Sequence, residues 1–153
     1  MTTFHHILLS FSLFMQGSNA IRFTSVTIEP CAQSRLTDPL SVLLTINSPA
    51  EMSDCRIECA FVLDIAVTQT VVPLSIKDGI TLKSGCDPIE IRIDSFSRLQ
   101  ELEKRLVKNV GTLSFNLRSN NESDQSPVAQ LELVVSIEEK NNELVKTIFS
   151  PFQ

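Results

Sequence analysis

The 153-residue chain has no tryptophan and no tyrosine, and it carries only two histidines, four glycines and four cysteines. Each scarcity removes a class of function. With phenylalanine as the sole aromatic, a platform for stacking nucleic-acid bases is not expected. Four glycines leave no glycine-rich phosphate loop. The formal net charge of -5 lacks the Lys/Arg surplus that phosphate backbones demand, so nucleic acid is excluded as a partner. Charged residues are absent altogether from the first twenty positions, M-T-T-F-H-H-I-L-L-S-F-S-L-F-M-Q-G-S-N-A, which contain both histidines, His5 and His6.

Those twenty residues read as a signal peptide. Ile7–Met15 is an apolar run of h-region length, too short to span a bilayer, and Ser18-Asn19-Ala20 is a small-x-small triplet of the kind signal peptidase prefers. A buried hydrophobic strand or helix is the competing reading. Cleavage after Ala20 leaves residues 21–153 as one domain, destined for secretion or the endolysosomal lumen. The mature chain then has no histidine, which excludes Ser–His and Cys–His nucleophilic pairs and His-containing zinc sites. No enzyme activity and no cofactor are expected. No other stretch is long and apolar enough to cross a membrane. The N-E-S triplet at Asn121 is a candidate glycosylation point in a polar run.

What the mature chain does have is alternation. Leu40, Val42, Leu44 and Ile46 share one face of a strand, with Ser41, Thr45 and Asn47 on the other. Cys55, Ile57, Cys59, Phe61, Leu63, Ile65 and Val67 do the same, opposite Arg56, Glu58 and Asp64, with Ala60, Val62 and Ala66 on that second face. Ile89–Ile93, Leu113–Leu117 and Leu131–Ile137 repeat the pattern, and Phe23–Glu29 is a short β-branched strand stopped by Pro30. Thr68–Ile76 continues as a strand in which Pro73 marks a sheet edge or a bulge, and Asp78-Gly79 reads as a turn. Ser97-Arg-Leu-Gln100 resembles a capping box, and Leu99, Leu102 and Leu106 recur at helical spacing, which predicts a short helix at about 97–109. The polar stretch 119–127 reads as an exposed hairpin connection. About seven antiparallel strands on a chain of this size predict an all-β fold, an immunoglobulin-like β-sandwich.

The cysteines constrain the chemistry. Residues four apart in a strand are separated by about 13 Å, whereas a disulfide needs Cα atoms within about 7 Å. Cys55 and Cys59 therefore cannot pair with each other, share one tetrahedral metal or act as a redox couple. Two readings stay open: one of them bridges to Cys31 or Cys86, the candidate disulfide residues, or both are reduced wall residues that behave as small hydrophobes.

Several features fall in a suggestive order. V-T-I-E-P-C ends at Cys31, V-V-P-L spans Val71–Leu74, L-K-S-G-C-D-P-I spans Leu82–Ile89, and the chain closes on two strands around a polar hairpin. Over about residues 23–138 this resembles the ML lipid-recognition family, which includes the Niemann–Pick type C sterol carrier, the ganglioside activator and mite group 2 allergens. Several of that family's cysteines have no counterpart here, so its disulfide pattern is not carried over. The resemblance implies a carrier or accessory protein that holds a sterol, fatty acid or glycolipid between two sheets, with a membrane receptor or transporter as a further partner. The implied cavity lining is Ile57, Cys59, Phe61, Leu63, Ile65, Ile91, Leu113, Phe115, Leu133 and Val135. Lipid cavities are concave and mostly apolar, and these residues have that character. The alternative is an immunoglobulin-like protein–protein interaction domain with a filled core. If residues 1–20 stay attached, that alternative becomes intracellular, and its strand–helix–strand order resembles the anti-silencing histone chaperones, where an acidic domain suits a basic partner.

Overall fold

A computed structural model of the chain describes residues 20–30, 33–65, 68–96, 98, 99, 110–121 and 126–152, with the backbone alone at 64, 65 and 68. The described residues form nine strands: β1 (Arg22–Glu29), β2 (Gln33–Arg35), β3 (Leu40–Ser48), β4 (Met52–Ile65), β5 (Thr68–Leu82), β6 (Gly85–Ile93), β7 (Val110–Ser119), β8 (Ala129–Lys140) and β9 (Glu143–Phe149). They make a three-stranded sheet in the order β1-β3-β6 and a six-stranded sheet in the order β2-β9-β8-β7-β4-β5. Every pairing is antiparallel. The all-β sandwich predicted from alternation is what the chain adopts, and its two-sheet layout is compatible with the immunoglobulin-like detail.

Alternation builds the core because a strand turns successive side chains to opposite faces. Leu40, Val42, Leu44 and Ile46 of β3 are all buried, and they meet Cys55, Ile57, Cys59, Phe61 and Leu63 of β4 in one hydrophobic cluster. β7 adds Leu113, Phe115 and Leu117, and β8 adds Leu131, Leu133, Val135 and Ile137. Removing a side chain of this size from water contributes about 1.5–3 kcal/mol.

Three details differ from the sequence reading. The described residues form nine strands rather than about seven, because β2 and β9 carry no clear alternation. Asp78-Gly79 is not a turn: β5 runs through it, Gly79 takes φ 66°, and the pairing with β4 shifts register nearby. The Asp78 carboxylate instead accepts from the Gly79 N–H at 3.0 Å and from Asn120 Nδ2 at 3.1 Å. Most of the helix expected at 97–109 lies outside the described residues. Arg98 and Leu99 form one 3-10 turn, closed by the Leu99 N–H on the Phe96 carbonyl at 2.9 Å. No α-helix occurs among the described residues, and none of their helices is long and apolar enough to cross a membrane. Pro73 meets both expectations, since β5 is an edge strand and Pro73 sits at a register shift.

Two connections are set by local chemistry. β8 and β9 are joined by Asn141 and Asn142, both at positive φ (52° and 65°), with Lys140 opposite Glu143. Two left-handed residues in a row make the hairpin turn whose twist matches its strands. The seam between the sheets at β5 and β6 is closed by side chains on backbone carbonyls. Ser75 Oγ donates to the Arg92 carbonyl at 3.2 Å, and Lys77 Nζ to the Glu90 carbonyl at 2.7 Å. Arg98 Nη1 reaches the Pro73 carbonyl at 2.9 Å from the next connection.

Candidate functional site

The interior is the first candidate. Of the ten residues expected to line a cavity, Ile57, Cys59, Phe61, Leu63, Ile91, Leu113, Phe115, Leu133 and Val135 are buried in the central cluster. The Ile65 side chain lies outside the described residues. Register brings them together: Phe61 pairs with Leu113, which pairs with Leu133, and Cys59 pairs with Phe115. Phe61 and Phe115 are therefore diagonal neighbours on the inner face. The Phe61 ring packs edge-on to Phe96, with centroids 6.2 Å apart, and lies so close over Gly111 that a Cβ there would sit 2.3 Å from Cζ. Glycine is required at 111 by that approach.

None of Cys55, Cys59 and Cys86 is in a disulfide. Cys55 and Cys59 point into the core, as their strand spacing predicts. Burial pushes the Cys59 thiol up to about 12, which suits an inert wall residue and not a nucleophile. Cys86, expected as a disulfide residue, is exposed on β6 opposite Asn47, on the face turned away from the inward-facing Cys55 and Cys59. Cys31, the other candidate disulfide residue, lies outside the described residues. Asn121 is exposed, while the rest of its sequon also lies outside them.

The second candidate is a charge that the sequence reading missed. Lys146 of β9 is 0% exposed. Its ammonium donates to the Arg35 carbonyl and, at 3.0 Å, to the Asp38 carbonyl, and it lies 5.0 Å over the Phe96 ring. Desolvation lowers its pKa to about 8, against the opposing charge of Asp38. The turn it holds is itself tight. The Asp38 carboxylate accepts from the Arg35 N–H at 3.0 Å and from Arg35 Nε at 3.2 Å, and these bonds hold it below the ordinary range. Lys146 thus fastens the β2–β3 turn to the sandwich. It touches no open surface.

The third candidate is the outer face of the six-stranded sheet, which is divided in two. At one end Glu58 accepts from Arg118 Nε and, at 3.3 Å, from Arg56 Nε, while Arg56 Nη1 reaches Asn120 Oδ1. Partial burial works to raise the Glu58 pKa, but the two guanidinium groups outweigh it and hold the carboxyl below its usual value. At the other end the pairings set up one continuous row. Val71 of β5 faces Val62 of β4, Val62 faces Thr112 of β7, Thr112 faces Val134 of β8, and Val134 faces Phe149 of β9. Val71 is 53% exposed and Phe149 51%, and Val110 nearby on β7 is 64% exposed. Along β8 the row is bracketed by exposed Glu132 and Glu138. Among the described residues no group of three or more His, Cys, Asp or Glu is placed to hold a metal ion.

No family model matches the chain, and no curated protein matches it. Among solved structures, it is similar to a β-glucosidase from Kluyveromyces marxianus in complex with glucose, at 8% identity and a TM-score of 0.40. That similarity covers 86% of this chain and 14% of the glycosidase chain.

Proposed function

We propose that the chain is a protein-interaction module with a filled core and no covalent chemistry, which docks a partner on the apolar end of the outer six-stranded face. The observation that carries this reading is the cross-strand row Val71–Val62–Thr112–Val134–Phe149. Sheet faces turned to water ordinarily alternate to polar residues; this row is exposed at Val71 and Phe149 and half-buried at Val62, Thr112 and Val134, and exposed apolar surface of this kind marks contact sites. Glu132 and Glu138 on either side favour a partner with apolar anchors flanked by basic groups. The interior residues supply stability in this reading, and the secretory placement implied by residues 1–20 is kept with it.

The test is quantitative affinity capture from secretory-pathway extracts with the wild type, a Val71→Asp/Phe149→Asp variant and an Arg118→Gln variant. The reading requires proteins that the wild type and Arg118→Gln retain and the double variant loses, with all three chains folded. Equal retention by all three would reject the outer face. A lipid recovered from the purified chain at one molecule per chain would instead restore the carrier expected from the ML resemblance.

A further inference from the structure

We infer that β1 is a self-association edge, through which two copies of the chain pair their β1 strands about a two-fold axis at Val26. This does not rest on the outer-face reading, because it concerns the other sheet.

A sheet edge presents unpaired N–H and C=O groups, and natural proteins protect such edges with proline, inward charge, bulges, short length or a covering element. Three of the four edges among the described residues are managed. β2 is only three residues long. β5 carries Pro73 and Lys77 and two of its register shifts, and the side-chain seam described above closes it against the β6 edge. β1 is eight residues long, R-F-T-S-V-T-I-E, with neither proline nor lysine, and a bulge at Thr24 is its one protective device. Among the described residues it pairs only with β3. Its inner-face Val26 and Ile28 are only partly buried, packed at the margin of the core.

The strand is complementary to itself. Against β3, Thr24 is the extra residue of a bulge, since Phe23 faces Ile46 and Ser25 faces Thr45. That bulge leaves Phe23, Val26 and Ile28 facing inward and Arg22, Ser25, Thr27 and Glu29 facing outward. Antiparallel pairing of β1 with a second copy, with the same residue skipped, sets Val26 against Val26. Phe23 then faces Ile28, Ser25 faces Thr27 and Arg22 faces Glu29. Apolar residues meet apolar residues on the inner face, hydroxyls meet on the outer face, and opposite charges meet at both ends. Cross-strand pairs of these kinds are the stabilising ones. Neither Arg22 nor Glu29 has an ion-pair partner among the described residues, so both are available. The product joins two three-stranded sheets into one of six and leaves no β1 edge exposed. An edge contact of eight residues per copy lies at the small end of interface sizes, where association is weak.

The test is sedimentation equilibrium of the full chain, wild type and variants, from about 1 to 200 µM, with circular dichroism to confirm folding. The expected result is a monomer–dimer equilibrium. Arg22→Glu alone and Glu29→Arg alone should each weaken it roughly tenfold, because each sets two like-charge pairs across the two-fold axis. The double swap Arg22→Glu/Glu29→Arg should return it to the wild-type value. A wild type that stays monomeric throughout overturns the proposal. So does a dimer indifferent to the single reversals, or one that the swap fails to restore.

Discussion

Replacing Lys146 with methionine should erase a pH dependence of stability that no other described group can produce. The ammonium is fully buried against Phe96 and two carbonyls, and burial brings its pKa from the ordinary 10.5 to about 8. Between those values the unfolded chain holds a proton that the folded chain has released. Folding stability therefore rises with pH across the window and is lost again as pH falls through about 8. At about 1.36 kcal/mol per unit, the full span is worth roughly 3 kcal/mol. Cys59 acts in the opposite sense. Its thiol is raised by burial from 9.0 to about 12, so the folded chain keeps that proton longer and stability falls as pH climbs above 9. In the wild type the two partly cancel from pH 9 to 10.5. Subtracting the Lys146→Met profile from the wild-type profile removes the Cys59 contribution and leaves the lysine alone. Urea midpoints under reducing conditions, from pH 7 to 11, give both curves. The difference should grow by roughly 3 kcal/mol in favour of the wild type as pH rises. Parallel curves would refute the claim that Lys146 is a buried charge.

The remaining predictions concern packing, thiols and the outer ion pairs. Gly111→Ala should destabilise by about 1–3 kcal/mol through overpacking, since its Cβ would meet the Phe61 ring at 2.3 Å, and Phe61→Leu in the same chain should recover part of the loss in thermal melts. Among Cys55, Cys59 and Cys86, only the exposed Cys86 should react with iodoacetamide in the native state, and peptide mapping should find no Cys55–Cys59 crosslink. Glu58→Gln should flatten the acid limb of the stability curve. The lowered Glu58 pKa contributes stability above the ordinary carboxylate value, and that stability is lost as pH falls through the folded one. Acid titrations of both chains by circular dichroism measure the difference.

Much of the sandwich was legible because its strands obey a two-residue period where one face is buried. Leu40–Ile46 and Leu131–Ile137 needed nothing else. β9 escaped because Lys146 occupies the inner-face position between Leu144 and Ile148, and a lysine there breaks the apolar period. The Asn141-Asn142 pair before it was the available signal for a hairpin. Asp78-Gly79 misled because the same dipeptide serves a turn or a bulge, and only the partner strand decides which. The outer row was harder to find. Val134 interrupts an otherwise polar strand face, and Val62 sits on a face shared by Arg56, Glu58, Ala60 and Asp64, both visible in the sequence, but their alignment with Val71, Thr112 and Phe149 comes from pairing between distant strands. Local periodicity carries no information on that register.

The proposed interaction module requires a packed interior and an external recognition surface. Its most direct test is the apo stability of Phe61→Leu and Phe115→Leu, read beside titration of each chain with a fluorescent sterol and a fluorescent fatty acid. A packed interior predicts a loss of roughly 1 kcal/mol or more for each substitution, with no saturable lipid binding by any chain. Saturable binding near one lipid per chain, shifted by either substitution while stability stays unchanged, would contradict it.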